Sequence, residues 1–152
     1  MSLDDELKQR KLERQKSADI EKEAKTKWLT AVKGILQQTL EFLKDTLDEG
    51  LLKAEGPTRS PLVMPSLKLI ELGGKTIVFK PSDNHPSIVT IEVQSDPRQA
   101  YGLSWDGASS WSIVPQIVIA HGGDPVQGRF DLQRGQVFNS ENLKKVLSDL
   151  LR

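Results

Sequence analysis

The apolar positions of this chain follow first a helical and then a strand-like rhythm. Over residues 28–47, Trp28, Leu29, Val32, Ile35, Leu36, Leu40, Phe42, Leu43 and Leu47 fall within one arc of about 160° at helical spacing. Lys33, Gln37, Glu41, Lys44, Asp45 and Asp48 fill the other side. This predicts an amphipathic helix over 28–50, with Gly50 placed to end it as a C-terminal cap residue. So broad an apolar face has to be covered, most simply by a sheet. Gly34 lies on the polar side, where it costs about 1 kcal/mol of helix propensity and leaves the stripe intact.

Residues 56–66 contain three prolines and read as a linker. Beyond them the period becomes two. Strands over 67–72 and 75–80 flank Gly73-Gly74, read as a two-residue hairpin turn with positive φ at both glycines. That register sets Ile70 opposite Ile77 and gathers Ile70, Leu72, Ile77 and Phe79 on one face. A strand over 87–94 carries Val89, Ile91 and Val93 on one side, and Asp96-Pro97 is expected to turn the chain. In 100–115 the large residues Tyr101, Leu103, Trp105, Trp111 and Ile113 are all odd-numbered. A three-residue loop ending at Gly107 pairs odd with odd, sets Tyr101 opposite Trp111 and collects the aromatics on one face. Residues 116–120 extend this strand past a kink at Pro115. Residues 129–132 and 136–138 form a last hairpin or bent strand. A final helix starts at 139 or 140 with Asn139 as cap and a stripe of Leu143, Val146, Leu147, Leu150 and Leu151.

The fold class expected is therefore α+β: a long N-terminal helix, an antiparallel sheet of five or six strands over 67–138, and a short C-terminal helix over 139–152 packed on it. Both helices are expected on one face of the sheet. Residues 28–152 are read as one domain and 1–27 as a charged helical or frayed arm. Within 4–27, 15 of 24 residues are charged, with acid-then-base pairs four apart at Asp4/Lys8, Glu6/Arg10, Glu21/Lys25 and Glu23/Lys27. Leu7, Leu12 and Ile20 fall on different faces, so no coiled-coil seam accompanies the charges.

Charge and composition narrow the function. Lys+Arg equals Asp+Glu at 21 each, which speaks against a general nucleic-acid or anionic-membrane binder. No apolar run approaches the roughly 20 residues of a membrane-spanning helix. The chain has no cysteine, which removes thiol chemistry and disulfides and suits a cytoplasmic setting. It ends on a helical pattern at Arg152, as one domain of a larger protein would.

Candidate chemistry is sparse. His85 with Asp83 and His121 with Asp124 sit in two turn-rich loops; were these loops to meet, they could build a divalent-metal site of mixed nitrogen and oxygen ligands, although neither has a recognised ligand spacing. Ser104 in Gly102-Leu103-Ser104-Trp105-Asp106 narrowly misses a nucleophile-elbow pattern and sits in a hairpin strand instead. The Gly122–Gly128 stretch lacks the ending and following helix of a phosphate loop. Tyr101, Trp105 and Trp111 are the most specific group: either core under a helix, or a face for a ligand or partner. No cofactor is expected. The reading is a non-catalytic protein-interaction or scaffolding domain, self-association included. The alternative is a small-ligand carrier with a pocket between helix and aromatic face, and an enzyme using the His85 and His121 loops ranks below both.

Overall fold

The first helix begins far upstream of its apolar stripe. In the computed structural model, which describes residues 2–57, 65–82, 87–116 and 130–152 and leaves aside the side chains of 97–99, α1 runs Leu3–Phe42, 40 residues. Ser2 caps it, its Oγ accepting from the Asp5 N–H at 3.3 Å. Asp4, Asp5 and Glu6 place negative charge against the positive end of the helix dipole. Residues 2–27 are exposed throughout, and burial starts at Trp28. From there Val32, Ile35, Leu36 and Thr39 are buried. The Thr39 hydroxyl, fully covered, donates to the Ile35 carbonyl at 2.9 Å, so no polar group is left unmatched there.

A short irregularity at Leu43 separates α1 from α2 (Lys44–Asp48). Gly50 ends the helix as expected. It adopts φ +75°, its N–H donates to Leu47 O, and the Leu51 N–H donates to Thr46 O. These two bonds are the paired closures of a glycine-terminated helix.

Among the described residues seven strands follow in a simple meander: β1 (Leu52–Glu55), β2 (Leu67–Glu71), β3 (Thr76–Pro81), β4 (Ile88–Val93), β5 (Asp96–Trp105), β6 (Trp111–Pro115) and β7 (Gln136–Val137). Every neighbouring pair is antiparallel, in sheet order β1 to β7. A single-turn 3-10 helix (Leu132–Arg134) precedes β7, and α2's longer counterpart at the C-terminus, α3 (Ser140–Leu150), closes the chain. The architecture is thus the expected α+β, with seven strands where the pattern indicated five or six. The addition is β1, four residues directly after Gly50.

In the first half of the sheet two turns differ from expectation. In the β2–β3 hairpin only Gly73 has positive φ, and the Gly74 N–H donates to Glu71 O. This is the positive φ that a type II turn needs at its third residue. It leaves three residues in the loop, pairs Leu69 with Ile77 and Ile70 with Thr76, and so shifts the strands by one. A one-residue shift exchanges faces: Leu67 and Leu69 enter the core beside Ile77 and Phe79, and Leu72 is 90% exposed. Between β4 and β5 the chain reverses at 94–95 rather than at Asp96-Pro97. Asp96 pairs with Val93 inside a ladder whose register shifts between Glu92 and Val93, an irregularity that accommodates a proline without a ladder donor.

One face of the sheet carries the main core. Leu67, Leu69, Ile77, Phe79, Val89, Ile91, Val93, Leu103 and Ile113 meet Val32, Ile35 and Leu36 of α1 and Leu143, Val146, Leu147 and Leu150 of α3. Both helices share this face. A second, smaller cluster of Ile88, Val114 and Phe130 covers Gly102. Asn139 caps α3, its Oδ1 accepting from the Asn142 N–H at 2.8 Å. At the other end the Lys75 ammonium donates to the carbonyls of Arg152 at 2.6 Å and Leu150 at 3.4 Å, where the helix dipole is negative. Among the described residues no helix is long and apolar enough to cross a membrane.

Candidate functional site

The aromatic group is assembled by the β5–β6 hairpin, and its turn depends on one carboxylate. Asp106 Oδ1 accepts from the N–H groups of Ala108 (2.8 Å), Ser109 (3.0 Å) and Ser110 (3.1 Å). Those N–H groups, Ala108 first, hold the carboxyl below its ordinary pKa. Gly107 supplies the positive φ of +89°. The loop lies two residues later than expected, so Trp105 pairs with Trp111 and Tyr101 with Pro115. Odd still pairs with odd, and the aromatics share one face as read from the sequence.

Trp28 of α1 completes the group. Its ring centroid lies 5.8 Å from Trp105 and 5.9 Å from Trp111, which are themselves stacked at 6.2 Å. These separations fall in the range where aromatic pairs add roughly 0.5–1.5 kcal/mol beyond the area they bury. All three indoles are half-buried. They clamp α1 to the sheet at the point where the exposed arm leaves it. The indole of Trp28 therefore stands between helix and aromatic face, where the alternative reading puts a pocket. The sequence placed Trp28 on the buried stripe but gave no sign of its ring partners, which are more than seventy residues away.

Tyr101 faces a different neighbour. Its hydroxyl donates to Asp149 Oδ2 of α3 at 2.7 Å. Burial, and then the bond to Asp149 and its charge, push the phenol up to about 12. Beside this pair an open cleft of about 810 Å³ runs between α3 and the β5–β7 end of the sheet. Ile113 and Val146 supply apolar lining, and Arg134, Lys144, Lys145 and Arg152 bring positive charge. Two of the four cations are engaged locally, Arg134 with Asp131 and Lys145 with Glu141, each at 3.4 Å. Such exposed pairs are worth little, and with Glu141 and Asp149 also in the lining the four cations stand against two carboxylates.

The residues of the metal reading, His85, Asp83, His121 and Asp124, lie outside the described residues, as does the Gly122–Gly128 stretch. Among the described residues no cluster of three or more His, Asp or Glu side chains is set to hold a metal. Ser104 is in β5 opposite Ser112, a strand position rather than a strand-to-helix elbow. No known protein family, no curated protein and no solved structure matches the chain.

Proposed function

We propose that this chain is a non-catalytic protein-interaction or scaffolding module whose α+β body anchors α1 and whose residues 3–27 are offered to a partner, a second copy included. One observation carries the reading: a helix of 40 residues buries side chains only from Trp28 onward. A helix extending about 37 Å beyond its body, at roughly 1.5 Å per residue, finds no packing partner among the described residues. The arm holds seven acidic and eight basic residues over 4–27, a balance that favours a protein partner over nucleic acid. A cytoplasmic setting suits the cysteine-free composition.

Sedimentation equilibrium of the intact chain and of residues 28–152 tests this. The expected result is a folded, monomeric 28–152 chain and a concentration-dependent rise in mass for the intact one. Loss of folding on trimming, or equal association of both, overturns the reading. An intact chain that stays monomeric at high micromolar concentration removes the self-association part alone.

The cleft beside Tyr101 favours a second reading, a body that also binds a small ligand. Its size lies in the usual range of such sites, about 300–1,000 Å³, and its cations suit an organic acid. A melting-temperature screen with small aromatic and aliphatic carboxylates checks this, with Lys145→Ala reducing any shift; no shift at millimolar concentration removes it.

A further inference from the structure

The far end of the body has an apolar groove. Leu43 at the end of α1, Leu51 and Leu52 at the start of β1, and Leu147 and Leu151 of the α3 end line a space of about 410 Å³. Thr46, Glu71, Lys144, Ser148 and Arg152 share its lining; Leu43, Leu52 and Leu147 are buried and form its floor, and Leu51 and Leu151 present the more accessible apolar surface. Next to it, Leu51 is 59% exposed, and Leu72, one step beyond the Leu52–Glu71 pair, is 90% exposed. At the opposite end of the same helix, Leu3 and Leu7 are 68% and 52% exposed. They are four residues apart and share one face, whereas Leu12 and Ile20 point elsewhere. The arm's usable apolar surface is thus at its tip, and no seam exists for two arms to form a coiled coil.

Resting on the interaction reading above, we infer that two copies of this chain pair reciprocally, each docking Leu3 and Leu7 into the Leu43/Leu51/Leu52/Leu147/Leu151 groove of the other. The tip cannot reach the groove of its own chain, because α1 is one continuous helix with Leu3 at its start and Leu43 just past its end. That same placement makes the surfaces self-complementary. A two-fold axis normal to the sheet and passing beside α1 at the level of Glu23, midway between residues 3 and 43, brings each tip to the other's groove at once. At about 100° per residue, Leu3 and Leu7 lie on the side of α1 that carries Val32, Ile35 and Leu36 toward the sheet. An antiparallel neighbour lying along the helix layer therefore turns them toward the β1 floor. Charge agrees: Asp4, Asp5 and Glu6 surround the tip, and Lys144 and Arg152 outnumber Glu71 in the groove lining. One tip alone falls short of the roughly 800 Å² per partner of a standard interface, so two reciprocal contacts are needed and the pairing is weak.

Single cysteines report this pairing without background, since the chain has none. The experiment mixes full-length Leu3→Cys with full-length Leu51→Cys under mild oxidation by glutathione disulfide and measures the disulfide-linked dimers by mass. Disulfides form only where Cα atoms come within about 7 Å. The expected result is a several-fold excess of mixed dimer over random pairing, and no such excess for Leu12→Cys mixed with Leu51→Cys. All three positions are exposed or at the surface, so the variants keep the fold, which circular dichroism checks. Random pairing in both mixtures overturns the inference; if the intact chain nonetheless associates in sedimentation, the broader interaction reading stands and only the docking surfaces are wrong. Excess with Leu12→Cys also overturns it, because the contact would then not be specific to the tip.

Discussion

Gly102 shows how closely the sheet is filled on the face away from the helices. A Cβ there would lie 3.0 Å from Phe130 Cδ1 and 3.1 Å from Ile88 Cγ2 and Val114 Cγ2. Gly102→Ala is therefore expected to cost about 1–3 kcal/mol by overpacking, read as a lower denaturation midpoint at unchanged slope; an unchanged midpoint would contradict the packing. In the sequence Gly102 stood out only as part of a failed catalytic pattern. Its real constraint comes from three residues scattered between 88 and 130, a proximity that spacing does not encode. Tyr101 makes a pH prediction. Its folded pKa of about 12 exceeds the ordinary value near 10. The stability it contributes is thus complete below about pH 10 and is lost as pH rises through 12. As the chain's one tyrosine, its phenolate absorbance reads the titration directly. A midpoint near 10 would contradict both the burial of the phenol and its bond to Asp149, and Tyr101→Phe should remove the alkaline slope of stability between those limits.

Elements were more legible than the joints between them. The helix stripe from Trp28, the strand over 88–93, the Asn139 cap and the final helix all follow from periodicity and capping chemistry, because each is decided within a few residues. The Gly73-Gly74 turn was not, since a two-residue and a three-residue loop use the same glycines and differ only in which face the strand then buries. Burial settles it: Leu67 and Leu69 are covered, and Leu72 is not. Strand β1 escaped notice because Leu52–Glu55 has a single buried leucine and precedes a proline-rich stretch. At this scale Asn139→Ala is expected to cost about 1 kcal/mol, appearing as faster amide exchange confined to the first turn of α3. The Asp106 turn adds an acid-side effect. Its carboxyl is held below the ordinary value, so its contribution is present above about pH 4 and fades as pH falls through the lower folded value. Asp106→Ala should abolish that dependence and loosen amides 108–110 at neutral pH.

For the whole molecule, the start of burial at Trp28 was readable from the charges and the missing apolar stripe before it, and the continuity of the helix was not. Nothing in residues 4–27 fixes whether the helix continues or frays; the body decides, by nucleating α1 at the Trp28 clamp so that each further turn needs only propagation. That the arm buries none of its side chains follows from its lack of an apolar stripe, while the leucine groove became visible only once α2, β1 and α3 were brought together. Hydrogen exchange of the intact chain over a concentration series tests this account most directly. Arm amides 3–27 should exchange quickly at low micromolar concentration and gain protection as concentration rises, with β3 and β4 unchanged throughout. Strong protection of the arm at the lowest concentration would make it part of the monomer's fold, and an arm that stays unprotected at every concentration would contradict the pairing proposed for it.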